Sequence, residues 1–204
     1  QALQAQINPH FLYNTLDSII WMAEGRKYEE VVLMTASLAR LLRQSISNED
    51  EVVPLAREVE YAKGYLTIQK MRYKDKLEFE IDVEPSILNI PLIKLVLQPI
   101  IENAIYHGLK YKESKGLLQV KGFMKDGNAV LQVIDNGVGM DEETLSHIYD
   151  KHKVNYHSNG VGVYNVQKRL KLYYGENYGI TYESEKGVGT TATITIPGIQ
   201  EESI

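Results

Sequence analysis

The spacing of apolar residues changes near residue 75 of this 204-residue chain. Before that point, apolar side chains recur every three or four residues, which is typical of amphipathic helices. Directly after it, Leu77–Val83 (LEFEIDV) alternates strictly between apolar and charged residues, as a strand with one buried face does. The pattern predicts an α+β protein, with a helical region over residues 1–74 and a second domain of strands and helices over residues 75–204.

Two amphipathic helices are predicted near the start. The first has an apolar face of Leu12, Leu16, Ile19, Ile20 and Ala23, with His10, Asn14 and Asp17 opposite. Gly25 ends it, and a second helix follows over about residues 30–47, with an apolar stripe of Leu38, Leu41, Leu42 and Ile46. A hairpin of this size has too small a core to fold alone. We therefore expect a homodimer through residues 1–48, in which two hairpins form a four-helix bundle.

The remaining elements are predicted from proline, glycine and β-branched residues. Pro54 opens a third helix that ends near residues 73–75, and Pro91 is predicted to begin a helix that runs through His107. Strands are predicted over residues 118–124, 129–134, 180–184 and 190–196, with a GVG turn between the last two. Residues 75–204 should therefore form an α+β sandwich.

The composition narrows the classes of function. The formal net charge of −5 lacks the basic excess that binding to a phosphate backbone needs, so no nucleic-acid partner is expected. The chain has no cysteine, which excludes disulfides and cysteine-ligated zinc. It contains no membrane-spanning apolar run and starts within a helical pattern without an initiator Met. We therefore expect a piece of a longer protein that meets a membrane only through segments upstream.

Two glycine-rich loops suggest a ligand site. In DNGVGM (135–140), Asp135 ends an apolar strand, where it is placed to accept a hydrogen bond from an adenine amino group; alone, the hexapeptide fits a plain Asx turn better. SNGVG (158–162) runs into a helical pattern, and the free N–H groups of a helix N-terminus bind phosphate. Neither loop is a P-loop, and Glu142 and Asn165 occupy the last glycine position of the dinucleotide fingerprint.

A polar pair lies on the helix predicted upstream of these loops. Asn103 and His107 are one turn apart, and they either form the solvated side of the helix or face a ligand together. Mg²⁺ prefers oxygen ligands and keeps most of its waters, so the amide oxygen of Asn103 and triphosphate oxygens would suffice to hold it. Glu102 is placed either to polarise a water molecule or to form a structural ion pair.

His10 is a candidate nucleophile. Pro9 lacks a backbone N–H and disfavours helical geometry at Asn8, so the helix should kink or restart beside His10. Near neutral pH an imidazole offers a nitrogen lone pair that can attack phosphorus. The alternative is an ordinary solvent-facing histidine.

The order of these motifs resembles that of the GHKL ATPase superfamily, which includes histidine kinases, Hsp90-type chaperones and MutL-type repair proteins. The motifs are the asparagine-bearing helix, DxGxG, GxG before a helix, and GVGTT over residues 187–191. Within this superfamily, QINPHFLYN (6–14), YLTIQKMRY (65–73) and ENAIYHG (102–108) are similar to the LytS/YesM class of sensor histidine kinases. The likeness covers nearly the whole chain.

The resemblance implies a dimerisation and phosphoacceptor hairpin followed by a GHKL-type ATP-binding α/β sandwich. ATP and Mg²⁺ are the implied ligands, with Asn103 on Mg²⁺, Asp135 on the adenine amino group, and Thr190 supporting the adenine end. The resemblance also places His107 among the nucleotide-binding residues. The nucleotide lid would be framed by Gly137, Gly139, Gly160 and Gly162.

The resemblance also implies a reaction. His10 would be autophosphorylated from Mg·ATP, with Glu102 as a further catalytic residue, and the phosphoryl group would pass to an aspartate in the receiver domain of a response regulator. The chain would be the cytoplasmic portion of a bacterial inner-membrane sensor.

Two positions depart from the family pattern. Phe11 stands where commoner histidine kinases have an acidic residue, so the proton acceptor is unassigned. Tyr164 stands where an arginine is expected, and the nearest basic residues, Lys168 and Arg169, are either phosphate contacts or surface charges. Two other functions stay open: an ATP-binding regulatory module that transfers no phosphate, and a clamp-type GHKL ATPase.

Overall fold

The computed structural model describes residues 9–46, 52–149 and 160–198. Its helices and strands follow in the order α1 (Pro9–Glu24), α2 (Tyr28–Ile46), β1 (Val52–Pro54), α3 (Leu55–Tyr73), β2 (Leu77–Val83), β3 (Pro91–Ile93), α4 (Leu97–Asn103), β4 (Gly116–Lys125), β5 (Asn128–Asp135), α5 (Glu142–Ser146), α6 (Gly160–Tyr174), β6 (Gly179–Glu185) and β7 (Gly189–Pro197). α4 continues into a π-helical turn, Ala104–Leu109. The predicted α+β class is confirmed. Among the described helices, none is long and apolar enough to cross a bilayer.

Five strands form one mixed sheet in the order β2-β4-β5-β7-β6, in which β2 and β4 are parallel and the other neighbours antiparallel. One face of the sheet shares a buried core with α4 and α6, through side chains that include Leu118, Val120, Leu131, Val133 and Ile194. The alternate positions, such as Gln119, Lys121 and Gln132, lie on the partly exposed face. The result is a two-layer sandwich in which β5 ends beside the π-helical turn.

Only part of the apolar face predicted on α1 packs against the rest of the chain. Phe11 and Met22 are buried, whereas Leu16 and Ile20 are 47% and 57% exposed. The cause is α3, because the ring of Phe11 packs on that of Tyr65 with 4.9 Å between ring centroids. α1 therefore has two apolar faces, and the outer one is open in the single chain.

The stripe predicted on α2 is confirmed where the structure describes its side chains. Leu38 and Leu41 are buried, and Leu42 packs against the same core. The side chain of Ile46 lies outside the described part of the chain.

The helix predicted over residues 91–107 is wrong in its first part. Pro91–Ile93 is a strand that pairs antiparallel with Val52–Pro54, and α4 begins only at Leu97. Between them, Leu95 has a φ of 64°, a left-handed conformation through which a helix does not continue. Pro91 lies at the end of a two-stranded ladder, where its missing N–H is tolerated. A non-local pairing thus overrides the local signal that proline opens a helix.

α3 joins the hairpin to the sheet. It packs against α2, α4 and β2, and its first residues donate backbone hydrogen bonds from Leu55 to Ile90 O and from Ala56 to Leu88 O, both of 2.9 Å. One continuous hydrophobic core includes residues from Phe11 to Ile196. The domain boundary predicted after residue 74 stays a prediction.

Candidate functional site

A cavity of about 700 Å³ opens between α4 with its π-helical turn, the end of β5, α5, and the strands β6 and β7. This volume is typical of small-molecule sites. Its lining brings together five of the predicted residues: Asn103, His107, Asp135, Gly139 and Thr190. Apolar side chains lie behind them, among them Ile100, Val133 and Ala192. The cavity is therefore largely apolar, with a few polar groups that converge on it.

Asp135 is the buried acid of the cavity. It is 6% exposed, and its Oδ1 accepts a hydrogen bond of 2.8 Å from the Gly137 N–H. Burial raises the pKa of Asp135 to about 6, although hydrogen bonds from Gly137 and Thr190 and the charge of Lys112 favour the ionised form. Asp135 is therefore a desolvated carboxylate that backbone donors hold in place beside the cavity.

Glycines let backbone segments approach closely around Asp135. Gly139 has a φ of 64°, and a Cβ there would lie 1.9 Å from Glu185 O. A Cβ at Gly137 would lie 2.3 Å from Gly108 O, so Gly137 supports the turn from behind and does not line the cavity. Gly189, at the start of β7, would place a Cβ 2.0 Å from Asp135 O. Only glycine fits such contacts.

Asn103 and His107 both reach the cavity, although the helix changes type between them. The Oδ1 of Asn103 is buried and has no hydrogen-bond partner among the described residues. An orphaned buried acceptor is costly unless a ligand or water satisfies it. Burial lowers the pKa of His107, with the charge of Lys110 adding to the effect, which favours the neutral imidazole. A single π-helical turn of this kind often marks a functional position.

Glu102 is not brought to the cavity. Its carboxylate accepts a hydrogen bond of 2.8 Å from Gln98 Nε2, and its charge acts on Tyr65 of α3. Burial raises the pKa of Glu102, and the bond from Gln98 lowers it. Because adjacent residues project about 100° apart on a helix, Asn103 faces the cavity while Glu102 faces α3.

His10 is exposed on α1 and does not line the cavity. The amide nitrogen of Asn14 lies 3.0 Å from its Nδ1 and 3.2 Å from its Nε2, so Asn14 contacts the imidazole as expected from their shared face. The next residue, Phe11, anchors this part of α1 on Tyr65.

The second glycine loop is described only from Gly160, where α6 begins; Ser158 and Asn159 lie outside the described residues. A Cβ at Gly162 would lie 3.1 Å from Pro99 Cβ, so this glycine allows α6 to pack closely on α4. Gly162 does not belong to the described lining of the cavity.

Arg169 is neither a cavity residue nor a free surface charge. Its Nη2 donates a hydrogen bond of 2.9 Å to Lys94 O in the turn before α4. Lys168 is exposed, as expected for a surface charge.

Other cavity residues were not predicted from the sequence. Five of them lie on or beside α5: Met140, Glu143, Thr144, His147 and Ile148. The hydroxyl and N–H of Thr144 donate to Asp141 and hold the pKa of Asp141 down at about 2. This N-cap, followed by Glu142 and Glu143, was a readable signal of a short helix. Tyr182 also lines the cavity, and its buried hydroxyl has no partner in the described part of the chain.

Comparison with known proteins agrees with this geometry. Residues 89–200 match the family described as histidine kinase-, DNA gyrase B- and HSP90-like ATPases, and residues 1–77 match a histidine kinase family. The chain therefore belongs to the histidine kinase-, DNA gyrase B- and HSP90-like ATPase family.

Among sequence relatives, the chain is 37% identical to the sensor histidine kinase YesM of Bacillus subtilis over 97% of its own length and 33% of that protein. It is 34% identical to the sensor protein LytS of Oceanobacillus iheyensis over 86% of its length and 30% of that protein. The chain thus spans about a third of the length of these curated relatives.

Solved histidine kinases share the fold. The histidine kinase domain of a blue-light activated kinase from Erythrobacter litoralis EL346 matches with a TM-score of 0.53 and 16% identity, covering 96% of this chain and 91% of that one. The catalytic domain of histidine kinase ThkA gives a TM-score of 0.55 and 16% identity, covering 73% of this chain and 99% of that one.

Replacing Gly139 by alanine should damage the fold more than the same change at Gly127. Both glycines have a positive φ, of 64° and 77°, but a Cβ at Gly127 meets nothing within 4 Å. We expect Gly127→Ala to lower the free energy of unfolding by about 1 kcal/mol, for backbone strain alone. Gly139→Ala should lower it by about 3 kcal/mol, because strain and a backbone clash add. Urea denaturation followed by circular dichroism measures both losses, and equal losses would contradict the packing argument.

Proposed function

We propose that this chain is the kinase core of a two-component sensor, which transfers the γ-phosphoryl group of Mg·ATP to His10 and then to an aspartate of a response regulator. The observation that carries the proposal is the cavity itself, where Asn103, His107, Asp135, Gly139 and Thr190 converge in a chain of this ATPase family. The similarity to sensor histidine kinases over nearly the whole chain supports the assignment of His10.

The adenine end of the cavity is assigned to Asp135 and Thr190. The Asp135 carboxylate is the acceptor for the exocyclic amino group, and the Thr190 N–H helps to fix that carboxylate. Ile100, Val133 and Ala192 offer apolar surface for a flat base. The same end discriminates against bases without a hydrogen-bond donor at this position, since the part of the buried carboxylate that faces the cavity would then lack a donor.

The phosphate end is assigned to Asn103 and to the start of α6. The orphaned Oδ1 of Asn103 is an oxygen donor of the kind that Mg²⁺ prefers, so the residues present fit this ion. Bound Mg²⁺ would neutralise charge on the triphosphate oxygens. The N-terminus of α6, at Gly160, supplies N–H groups and a favourable dipole for phosphate.

Phosphoryl transfer to His10 requires alignment of the imidazole with the γ-phosphoryl group rather than covalent participation of other side chains. The unprotonated ring nitrogen bonds to the γ-phosphorus, the bond from phosphorus to the bridging oxygen breaks, and ADP leaves. The proton on the other ring nitrogen then leaves to solvent. Asn14 positions the imidazole through its amide. Transfer to a receiver aspartate breaks the N–P bond and restores His10.

The chain is proposed to work as the cytoplasmic part of a bacterial membrane sensor and as a homodimer through its hairpin. Large apolar side chains lie exposed on both hairpin helices: Tyr13, Leu16, Ile20, Trp21, Tyr28, Val32 and Leu33. A second hairpin would cover them in a four-helix bundle.

Incubation with Mg·ATP should give the protein an acid-labile, alkali-stable phosphate. His10→Gln should lower this label by about 100-fold or more, because no other nucleophile is assigned, while nucleotide affinity stays within about twofold. Phosphopeptide mapping under alkaline conditions measures the site, and Glu24→Gln on the same helix serves as the control. Nucleotide binding without label would indicate a regulatory module, and steady release of inorganic phosphate without label a clamp-type ATPase.

Nucleotide affinity should fall as the pH is lowered through about 6, the pKa of Asp135. Above that pH the ionised carboxylate accepts the amino hydrogen, and below it each pH unit should weaken binding by about tenfold. The nucleotide phosphates titrate in the same range, so the pH dependence of the affinity measured with Asp135→Asn is subtracted from that of the wild type. Calorimetry between pH 5 and 8 gives both curves. Parallel curves would show that Asp135 does not read the base.

Charge on the outer face of α1 should break the dimer. Ile20 is 57% exposed in the single chain, so the change Ile20→Glu would bury a carboxylate within the four-helix bundle. The dissociation constant of the dimer should therefore rise by about tenfold or more. Leu172→Glu is the control, because Leu172 is 77% exposed on α6, outside the hairpin. Sedimentation velocity over a range of concentrations measures the constant. A wild-type monomer, or an equal effect of both changes, would refute the hairpin interface.

A further inference from the structure

Glu58 is a buried carboxylate that the proposed reaction does not use. It lies on α3, is 7% exposed, and accepts three backbone hydrogen bonds. The Leu95 N–H donates to Oε1 at 2.7 Å, and the N–H groups of Val96 and Leu97 donate to Oε2 at 2.9 Å each. The carboxylate thus holds a segment almost forty residues further along the chain.

These three amides form the turn that leads into α4. Leu95 has a φ of 64°, and Val96, the residue before the helix, has no side chain that caps the helix. The first N–H groups of a helix have no partner within it, and a negative charge at this end is favourable. Glu58 therefore acts as the N-cap of α4, although it belongs to α3.

A second group holds the same turn from the other side. Arg169 on α6 donates to Lys94 O at 2.9 Å, and its charge acts on Glu58. Burial raises the pKa of Glu58, while the three amide hydrogen bonds and Arg169 lower it. α3, α4 and α6 thus meet at one turn, and two of them carry residues assigned to the phosphate end of the cavity.

We propose that Glu58 is a positioning residue, which fixes the start of α4 so that the Asn103 amide faces the cavity at the place of Mg²⁺. Asn103 lies six residues after Leu97, less than two turns into the helix. A shift or fraying of the first turn is therefore carried directly to this side chain. The inference rests on the proposed function, because it presupposes that Asn103 contacts the metal ion.

The position of Glu58 predicts which part of nucleotide binding it controls. The hydrogen bonds to Glu58 come from the turn before α4, whereas Asp135 and Thr190 belong to strands of the sheet, so the adenine end should keep its affinity without Glu58. Only the gain in affinity that Mg²⁺ provides should depend on Glu58. A side chain that merely stabilised the fold would lower binding with and without Mg²⁺ to the same extent.

Calorimetric titration of the full chain with ATP, once with excess Mg²⁺ and once with EDTA, separates these effects. Glu58→Gln keeps the size of the side chain but replaces one acceptor by a donor. We expect it to reduce the Mg²⁺-dependent gain in affinity by about fivefold or more, with the affinity in EDTA unchanged within about twofold. Glu60→Gln is the matched control, because Glu60 is exposed on the same helix, and it should change neither value.

Hydrogen exchange gives a readout that needs no nucleotide. In Glu58→Gln the amides of Leu95, Val96 and Leu97 should exchange faster than in the wild type, while the strands keep their protection. If Glu58→Gln does not fold, Arg169→Gln removes the opposite hold on Lys94 and should show the same selective loss. Equal losses with and without Mg²⁺, or no loss in either state, overturn the inference.

The variant Asn103→Ala distinguishes a failure of the inference from a failure of the proposed function. If the wild type binds no Mg·ATP, or if Asn103→Ala leaves the Mg²⁺-dependent gain intact, the assignment of the phosphate end is wrong. If both behave as expected and Glu58→Gln binds like the wild type, only the role of Glu58 is refuted.

Discussion

The cavity depends on the close approach of backbone segments at the carboxyl end of β5. Four glycines from three segments permit it, since a Cβ at each would lie within 2.7 Å of a neighbouring oxygen: Gly108, Gly137, Gly139 and Gly189. At Gly137, Gly139 and Gly189 the neighbouring segments meet through their main chains. The acid is desolvated by these same contacts, so the structure that shapes the cavity also raises the pKa of its principal acceptor.

Local patterns predicted much of the fold and the centre of the site. Alternation identified Leu77–Val83, and β-branched runs identified the last two strands almost to their ends, because both signals arise from residues on one strand. Asn103, Asp135 and Thr190 were found because glycines and polar residues stood at fixed offsets in a known order. The strand Pro91–Ile93 was missed, since its partner lies in Val52–Pro54 and no local pattern reports that pairing.

Residues whose partners are distant in sequence could not be predicted. Glu58 has the pattern of an ordinary helical acid, and only the fold brings it to Leu95, Val96 and Leu97. Burial raises the pKa of Glu58, Glu102 and Asp135 alike. For Asp135 the folded state keeps its proton up to about pH 6 and the unfolded chain only to about 3.8, so stability declines as the pH rises between these values. Functional sites commonly retain such unfavourable groups.

The ladder between Val52–Pro54 and Pro91–Ile93 limits where this chain can be joined to a homologue. It ties the start of α3 to the segment before α4, and the carboxylate of Glu58 spans the same junction. A crossover between two homologous genes after residue 74 would join a strand and a carboxylate from one parent to a turn from the other. A crossover between Ile46 and Val52 leaves the ladder and the hydrogen bonds of Glu58 within one parent, so the segment before Val52 can be exchanged without separating Glu58 from its turn.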